Sequence, residues 1–211
     1  KNEMSSNRPR KHKRYPLDQS PLFCLRGKGE FEQVVGVSWD EVPNLIASES
    51  YRVWLNKKQR EIQAPIGRMA KVHKKLGALL ARIEMPDYVF SQKGRSYADN
   101  GRQHLGVHPL IKTDIHKFYP SITRTMVFQT FLNKFQCAAD VADRLANIVC
   151  YKQAHLPTGS PLSGQVAFFT AQRLFDEISL LAERTGCTLT VYVDDITLSG
   201  PRATKRLLAD V

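Results

Sequence analysis

No segment of this chain approaches the ~18 to 20 consecutive apolar residues that a membrane-spanning helix needs. No charged-then-apolar leader pattern opens it either, so no membrane contact is expected. Cysteine is sparse. The four present, Cys24, Cys137, Cys150 and Cys187, lie far apart and form no C-x-x-C pair. That spacing excludes a disulfide framework and a cysteine-held zinc site, and it reads as reduced, buried thiols in a cytoplasmic protein. Internal repeats are absent too. What remains is an ordinary globular composition, 42% hydrophobic over 211 residues. That length serves one sizeable domain, or two small ones sharing a core.

Acidic residues are scarce relative to basic ones, and the net charge is +11. The imbalance is uneven: residues 1–110 carry 20 Lys/Arg against 11 Asp/Glu, and residues 111–211 carry 11 against 9. A basic half beside a near-neutral half suggests a surface that meets phosphate backbones. Solubility alone is the plainer alternative. Residues 1–16 are polar and basic, with Arg8, Arg10, Lys11, Lys13 and Arg14, and are expected to form a flexible arm. Such an arm is either an RNA contact or a solvated tail.

Periodicity places the elements. Tyr51, Val53 and Leu55 fit one strand and residues 60–62 another, joined by a turn at Asn56-Lys57-Lys58. Met69, Val72, Leu76, Leu79, Leu80 and Ile83 fall at helical spacing over residues 68–83, with Arg68, Lys71, Lys75 and Arg82 off that stripe. A short strand over 110–115 ends at an acid. Helices are expected over 123–135, capped by Ser121 or Thr123, and over 140–150. A long one over about 163–184 is closed by Gly186. A β-rich run over 188–193, a turn at Asp194-Asp195 and a strand over 196–199 form a hairpin, and a helix starts near Ala203. This order suggests an α+β fold, an antiparallel sheet with helices on one face.

Two adjacent acids at a hairpin tip repel each other unless something neutralises them. A divalent cation with hard oxygen ligands is the usual remedy. Asp114 ends an earlier strand, 80 residues before Asp194. If the two strands are neighbours, Asp114 and Asp194 face one another, and two metals could bridge them for phosphoryl transfer. Asp-Asp alone is equally a solvated turn. The alternation of Val191 and Val193 with Thr190 and Tyr192 favours a rigid, half-buried hairpin. His104 and His108 have a ligand-like spacing, but Gly106 lies between them and no third ligand is evident, so no metal site is expected there.

Five ordered segments now carry a family likeness. They are Arg60-Glu61-Ile62-Gln63-Ala64-Pro65; Gln92-Lys93-Gly94-Arg95-Ser96 with Asn100-Gly101-Arg102-Gln103-His104; Asp114 to Ile122; Leu156 to Ser163; and Tyr192 to Gly200. Together they resemble the motifs of reverse transcriptases, in the form found in bacterial retron-type and group II intron enzymes. The resemblance covers roughly residues 55–200. It implies a right-hand polymerase, with fingers over 17–109 and a palm over 110–211 that interleave around 123–160. It implies two Mg²⁺ ions, with Mn²⁺ as a substitute, held by Asp114, Asp194 and Asp195 and by the Ile115 carbonyl. Arg60, helped by Lys58 or Lys57, would reach the triphosphate. Tyr119 would sit below the sugar and exclude a 2′-hydroxyl. Gly159 and Thr158 would line the nucleotide, with Gly159 allowing close backbone approach. Gly94, Arg95, Ser96, Asn100 and His104 would contact the template or its RNA backbone.

Three positions depart from the family pattern. Thr158 stands where many relatives carry Gln, Gly164 replaces a common Pro, and Gly101 a common Ala. The later palm motif and the thumb are expected to be absent from this chain. The resemblance implies an RNA-directed DNA polymerase copying a structured non-coding RNA into DNA from deoxynucleotides, in an antiviral setting, with an effector protein or a second copy as a further partner. A template-independent or protein-primed polymerase, and a catalytically silent RNA-binding palm, are the rival readings.

Overall fold

One long helix organises the chain. The structure, a computed structural model, describes residues 13–106 and 109–209. In chain order the elements are α1 (Lys28–Val35), α2 (Val42–Leu45), β1 (Tyr51–Leu55), β2 (Glu61–Pro65), α3 (Gly67–Leu80), α4 (Tyr97–Arg102), β3 (Leu110–Asp114), α5 (Phe118–Ser121), α6 (Arg124–Gln129), α7 (Ala139–Val149), α8 (Ser163–Thr185), β4 (Thr188–Tyr192), β5 (Asp195–Ser199) and α9 (Lys205–Ala209). α8 buries Val166, Phe168, Phe169, Phe175, Ile178 and Ala182, and Phe168 stacks on Phe175 at 6.0 Å. Left-handed Gly186, at φ 65°, ends it.

The strands form two antiparallel sheets, β1–β2 and β3–β5–β4, so the expected mixture of helix and antiparallel sheet is present. In the three-stranded sheet, alternation sends Leu189, Val191, Ile196 and Leu198 into the core beside α8. Full burial of each such side chain stabilises the fold by roughly 1.5–3 kcal/mol. Helices on one face only was the expectation, and this is corrected. Thr190, Thr197 and Ser199 on the opposite face are also buried. There His104 at the end of the α4 segment bridges the hydroxyls of Ser199 and Thr190, 2.7 Å from each.

The arm also needs correction. Residues 1–12 lie outside the described residues, but Tyr15 is packed, 8% exposed. Its backbone pairs with Arg82 and Glu84 at 3.0 and 2.9 Å, its hydroxyl donates to the Leu79 carbonyl, and Arg82 covers its ring. An aromatic ring that can bury against the end of α3 does not stay in solvent. Other boundaries moved less. β2 runs on through Pro65, which pairs with Tyr51. The helix expected over 123–135 is α6, capped by Thr123, followed by a π-helical turn at Thr130–Lys134. All four cysteines are free, and Cys137 and Cys150 are buried. No helix among the described residues is long and apolar enough to cross a membrane.

α3 carries a residue that the apolar stripe hid. His73 is fully buried. Nε2 lies 2.9 Å from the Ile148 carbonyl, which can only accept, so Nδ1 accepts from the Ser160 hydroxyl at 2.7 Å. Burial lowers its pKa from 6.5 to about 4, so the ring is neutral in the fold. The unfolded chain therefore binds more protons between those values. The neutral ring's contribution is complete above pH 6.5 and is lost as pH falls toward 4. Urea unfolding should show about 2 kcal/mol lost between pH 6.5 and 5 from this group, and His73→Gln should have a correspondingly flatter pH dependence.

Candidate active site

Strand pairing assembles the acids. β3 pairs with β5 so that Asp114 stands opposite Asp195, not Asp194 as the sequence suggested. Asp194 lies one residue beyond, at the tip, where its backbone carbonyl accepts the Ile115 N–H at 3.1 Å. β4 and β5 are joined by only Val193 and Asp194, and Val193 adopts φ 62°. Two-residue hairpin loops demand a positive φ, which suits Gly and Asn and strains a β-branched side chain. Such strain costs on the order of 1–3 kcal/mol and persists where the surrounding pairing over-determines it.

The electrostatics identify what this tip lacks. Desolvation raises the Asp194 carboxyl above its ordinary pKa, and the charges of Asp195 and Asp114 raise it further. Its own backbone N–H and the Arg60 charge pull the other way. Asp194 thus sits partly dry beside two like charges, the chemistry a divalent cation relieves. The donor set fits such an ion. In the present arrangement, though, no three His, Cys, Asp or Glu among the described residues converge closely enough to enclose one. Lys112 supplies part of the missing charge, with its ammonium 3.1 Å from Asp195. It also donates to the Tyr97 hydroxyl at 3.2 Å, and these two bonds raise its pKa. The Tyr97 ring in turn meets Tyr192 edge-on at 5.2 Å. Sequence reading passed over Lys112 and Tyr97. The signal available was Lys112's place two residues before Asp114, on the same strand face.

Tyr119 follows a left-handed Lys117 into α5. Its pKa is pushed up to about 12, first by burial and then by the charge of Asp194, so the phenol stays protonated beside the acids. A side-chain carbon at Gly164 would lie 3.6 Å from its hydroxyl, ordinary van der Waals contact, so the ring reaches the first turn of α8. On the opposite side, Asn56 Oδ1 accepts the backbone N–H groups of Lys58 and Arg60, at 2.8 and 3.0 Å, and shapes the β1–β2 turn. Lys57, Lys58 and Arg60 make no ion pair among the described residues.

Two expected roles change. Gly159 was assigned to close approach of a nucleotide. A side-chain carbon there would instead sit 2.9 Å from both the Gln63 carbonyl oxygen and Ile62 Cγ2, so β2 is what crowds it. The Thr158 hydroxyl donates to the Glu61 carbonyl at 2.9 Å and accepts from the Gln63 N–H at 3.2 Å. It therefore fastens the loop to β2 and does not point to a free subsite. Ser163 Oγ donates to the Pro157 carbonyl, and His73 holds Ser160, so the loop is fixed at both ends.

The expected template contacts are mostly turned into the fold. The Arg95 guanidinium covers the Phe90 ring and donates to the carbonyls of Val89 and Asp87. Ser96 caps α4 in a reciprocal box with Asp99. Asn100 is buried, and its Oδ1 has no partner among the described residues. His104 spends both ring nitrogens on Ser199 and Thr190. Gly94, at φ 89° in a turn, and Ser96 lie exposed. His108 lies outside the described residues.

The site thus combines acids at adjacent strand ends, a strained two-residue tip and a β1–β2 turn whose Arg60 charge reaches Asp194. Residues 44–211 match the family model described as Reverse transcriptase (RNA-dependent DNA polymerase), and the chain belongs to that family. Among curated proteins it is similar to the retron Ec86 reverse transcriptase of Escherichia coli, 32% identical over 108 residues, which is 51% of this chain and 33% of the relative. The retron Se72 reverse transcriptase of Salmonella heidelberg (strain 579083-10) is 29% identical over 153 residues, 70% of this chain and 39% of the relative. The retron Ec48 reverse transcriptase of Escherichia coli is 25% identical over 170 residues, 75% and 40% respectively. The chain thus spans about a third to two fifths of the length of these relatives.

Proposed function

We propose that this chain is the catalytic core of an RNA-directed DNA polymerase, with fingers over about residues 17–109 and a palm over 110–211. The single observation that carries the reading is the meeting of Asp114, Asp194 and Asp195 at one sheet end, where desolvation and like charge raise Asp194. Asp114, Asp194 and Asp195 would hold two Mg²⁺ ions, or Mn²⁺, with the Ile115 carbonyl as a further ligand. Metal bound there would polarise the triphosphate and lower the pKa of the attacking 3′-hydroxyl. The protein's own part is positioning and charge. Arg60, with Lys58, meets the triphosphate from the β1–β2 turn, supported by its electrostatic reach to Asp194. Gly94 and the exposed Lys93 are left to meet the template backbone. A structured partner RNA as template, and a place in antiviral defence, follow from the resemblance and the retron relatives alone.

Primer extension on an RNA template, with deoxynucleotides and Mg²⁺, tests the activity. No incorporation under any primer or metal, with RNA still bound, would replace this reading with an RNA-binding palm. Tyr119 supplies a second measurement. In this reading its ring, close to the Asp194 charge and to Gly164 of α8, is the wall that excludes a 2′-hydroxyl. Tyr119→Ala should therefore raise ribonucleotide use relative to deoxynucleotide use by about 100-fold, read from competing single-nucleotide incorporation.

A further inference from the structure

We propose that Lys112 is a positioning residue that occupies Asp195 in the metal-free protein and yields it when a divalent ion binds. This rests on the reading of the acids as a metal site. The ammonium has two seats. One is Asp195 Oδ2 at 3.1 Å, and the other is Tyr97, whose hydroxyl is 3.2 Å away and whose ring centroid is 5.7 Å away.

Both seats follow from the sheet. Lys112 and Asp114 share one face of β3, and Asp195 stands across from Asp114, so Lys112 reaches Asp195 on the diagonal. Tyr97 is brought over that face by the segment that ends at His104. Its near end is fixed by the Ser96–Asp99 box and its far end by the His104 bridge to Ser199 and Thr190. When Asp195 turns to a metal, the ammonium keeps the Tyr97 hydroxyl as a hydrogen-bond acceptor and is not left bare. The consequence is a site that resists metal until the triphosphate brings its own ligands.

The test is a double-mutant cycle read by Mn²⁺ binding, measured by electron paramagnetic resonance of the free ion, without nucleotide or nucleic acid. Lys112→Met removes the charge and keeps the length. It should tighten Mn²⁺ binding by about fivefold, the scale of a partly exposed ion pair. Any removed cation would help a metal through its field alone, so the second arm decides. In an Asp195→Asn background, Lys112→Met should change affinity less than about twofold, because the carboxylate it occupied is gone. Lys112→Arg keeps the charge and should leave Mn²⁺ affinity near that of the unchanged protein. Equal effects of Lys112→Met with and without Asp195, or no tightening, overturn the proposal. Failure of Asp194→Asn to weaken Mn²⁺ binding would overturn the metal site itself, and so the reading beneath it. Loss of binding in Asp194→Asn together with an inert Lys112→Met would overturn the Lys112 inference alone.

Discussion

Asparagine at Asp194 is expected to lower deoxynucleotide incorporation by at least about 10³-fold, because a carboxylate that holds metal against the triphosphate supplies several kcal/mol in the transition state. The same substitution should leave the fold as stable as before, or more so. Asn keeps the size of Asp and the backbone bond from Ile115, yet removes a charge that desolvation, Asp195 and Asp114 all disfavour. A collapse of activity with an unchanged or raised melting temperature is therefore the signature of a metal ligand. Loss of both together would mark Asp194 as structural. Incorporation within tenfold of normal would remove it from the chemistry. Asp114→Asn should behave likewise in activity.

Alanine at Gly159 is the second large effect, and it acts through packing. Its side-chain carbon would lie 2.9 Å from the Gln63 carbonyl oxygen and from Ile62 Cγ2, and 3.1 Å from the Gln63 carbonyl carbon. Two of these are backbone atoms of β2, which cannot step aside as a flexible side chain can. Relief requires stretching the bond from the Gly159 N–H to the Gln63 carbonyl, now 3.0 Å, and the Thr158 bonds beside it. Overpacking of this kind costs about 1–3 kcal/mol, a fall of several degrees in melting temperature for a chain this long. It should also move the hairpin that carries Arg60, so the KM for deoxynucleotide rises more than kcat falls. Gly101→Ala is the control. A carbon there meets nothing within 4 Å, and Ala favours the helical turn, so that variant should be neutral or slightly more stable. Equal effects at the two glycines would mean that the contact with β2 does not matter.

Much of the framework was legible because its signals are local. The apolar stripe of α3, the length of α8 with Gly186 after it, and the alternation around Asp194-Asp195 are each patterns within one segment, and each element formed within a few residues of its expected ends. The two helices before Tyr51 were also signalled, though faintly. Phe31 and Val35 bury one turn apart, Gly36 ends α1, and Ser38 with Glu41 forms a capping box. Short helices carry too few periods to stand out from loop. α4 escaped for the same reason, although Ser96 and Asp99 spell its cap.

The site was legible in part. Asp114 and Asp195 pair at one sheet end with Asp194 one residue beyond, and the charges of Arg60 on Asp194 and of Asp194 on Tyr119 place those residues nearby, because each ends or follows an element whose position was clear. The contacts assigned to Arg95, Ser96, Asn100 and His104 went elsewhere, since a polar side chain in a motif says nothing of which way it faces. His104 meets Ser199 across 95 residues of chain, and Thr158 meets Gln63 across the same interval.

By itself the sequence determined the longer helices and the strands from Tyr51 onward, that two acids sit at a tight tip, and that a third ends a strand. These follow from hydrophobic period and turn chemistry, which act over a few residues. Only the tertiary structure decided that Asp114 opposes Asp195, that Lys112 sits on that acid, and that Gly159 is pressed by β2. Strand register and loop-to-strand contact are chosen by the packing of the whole core, where a shift of one residue would turn every side chain to the other face.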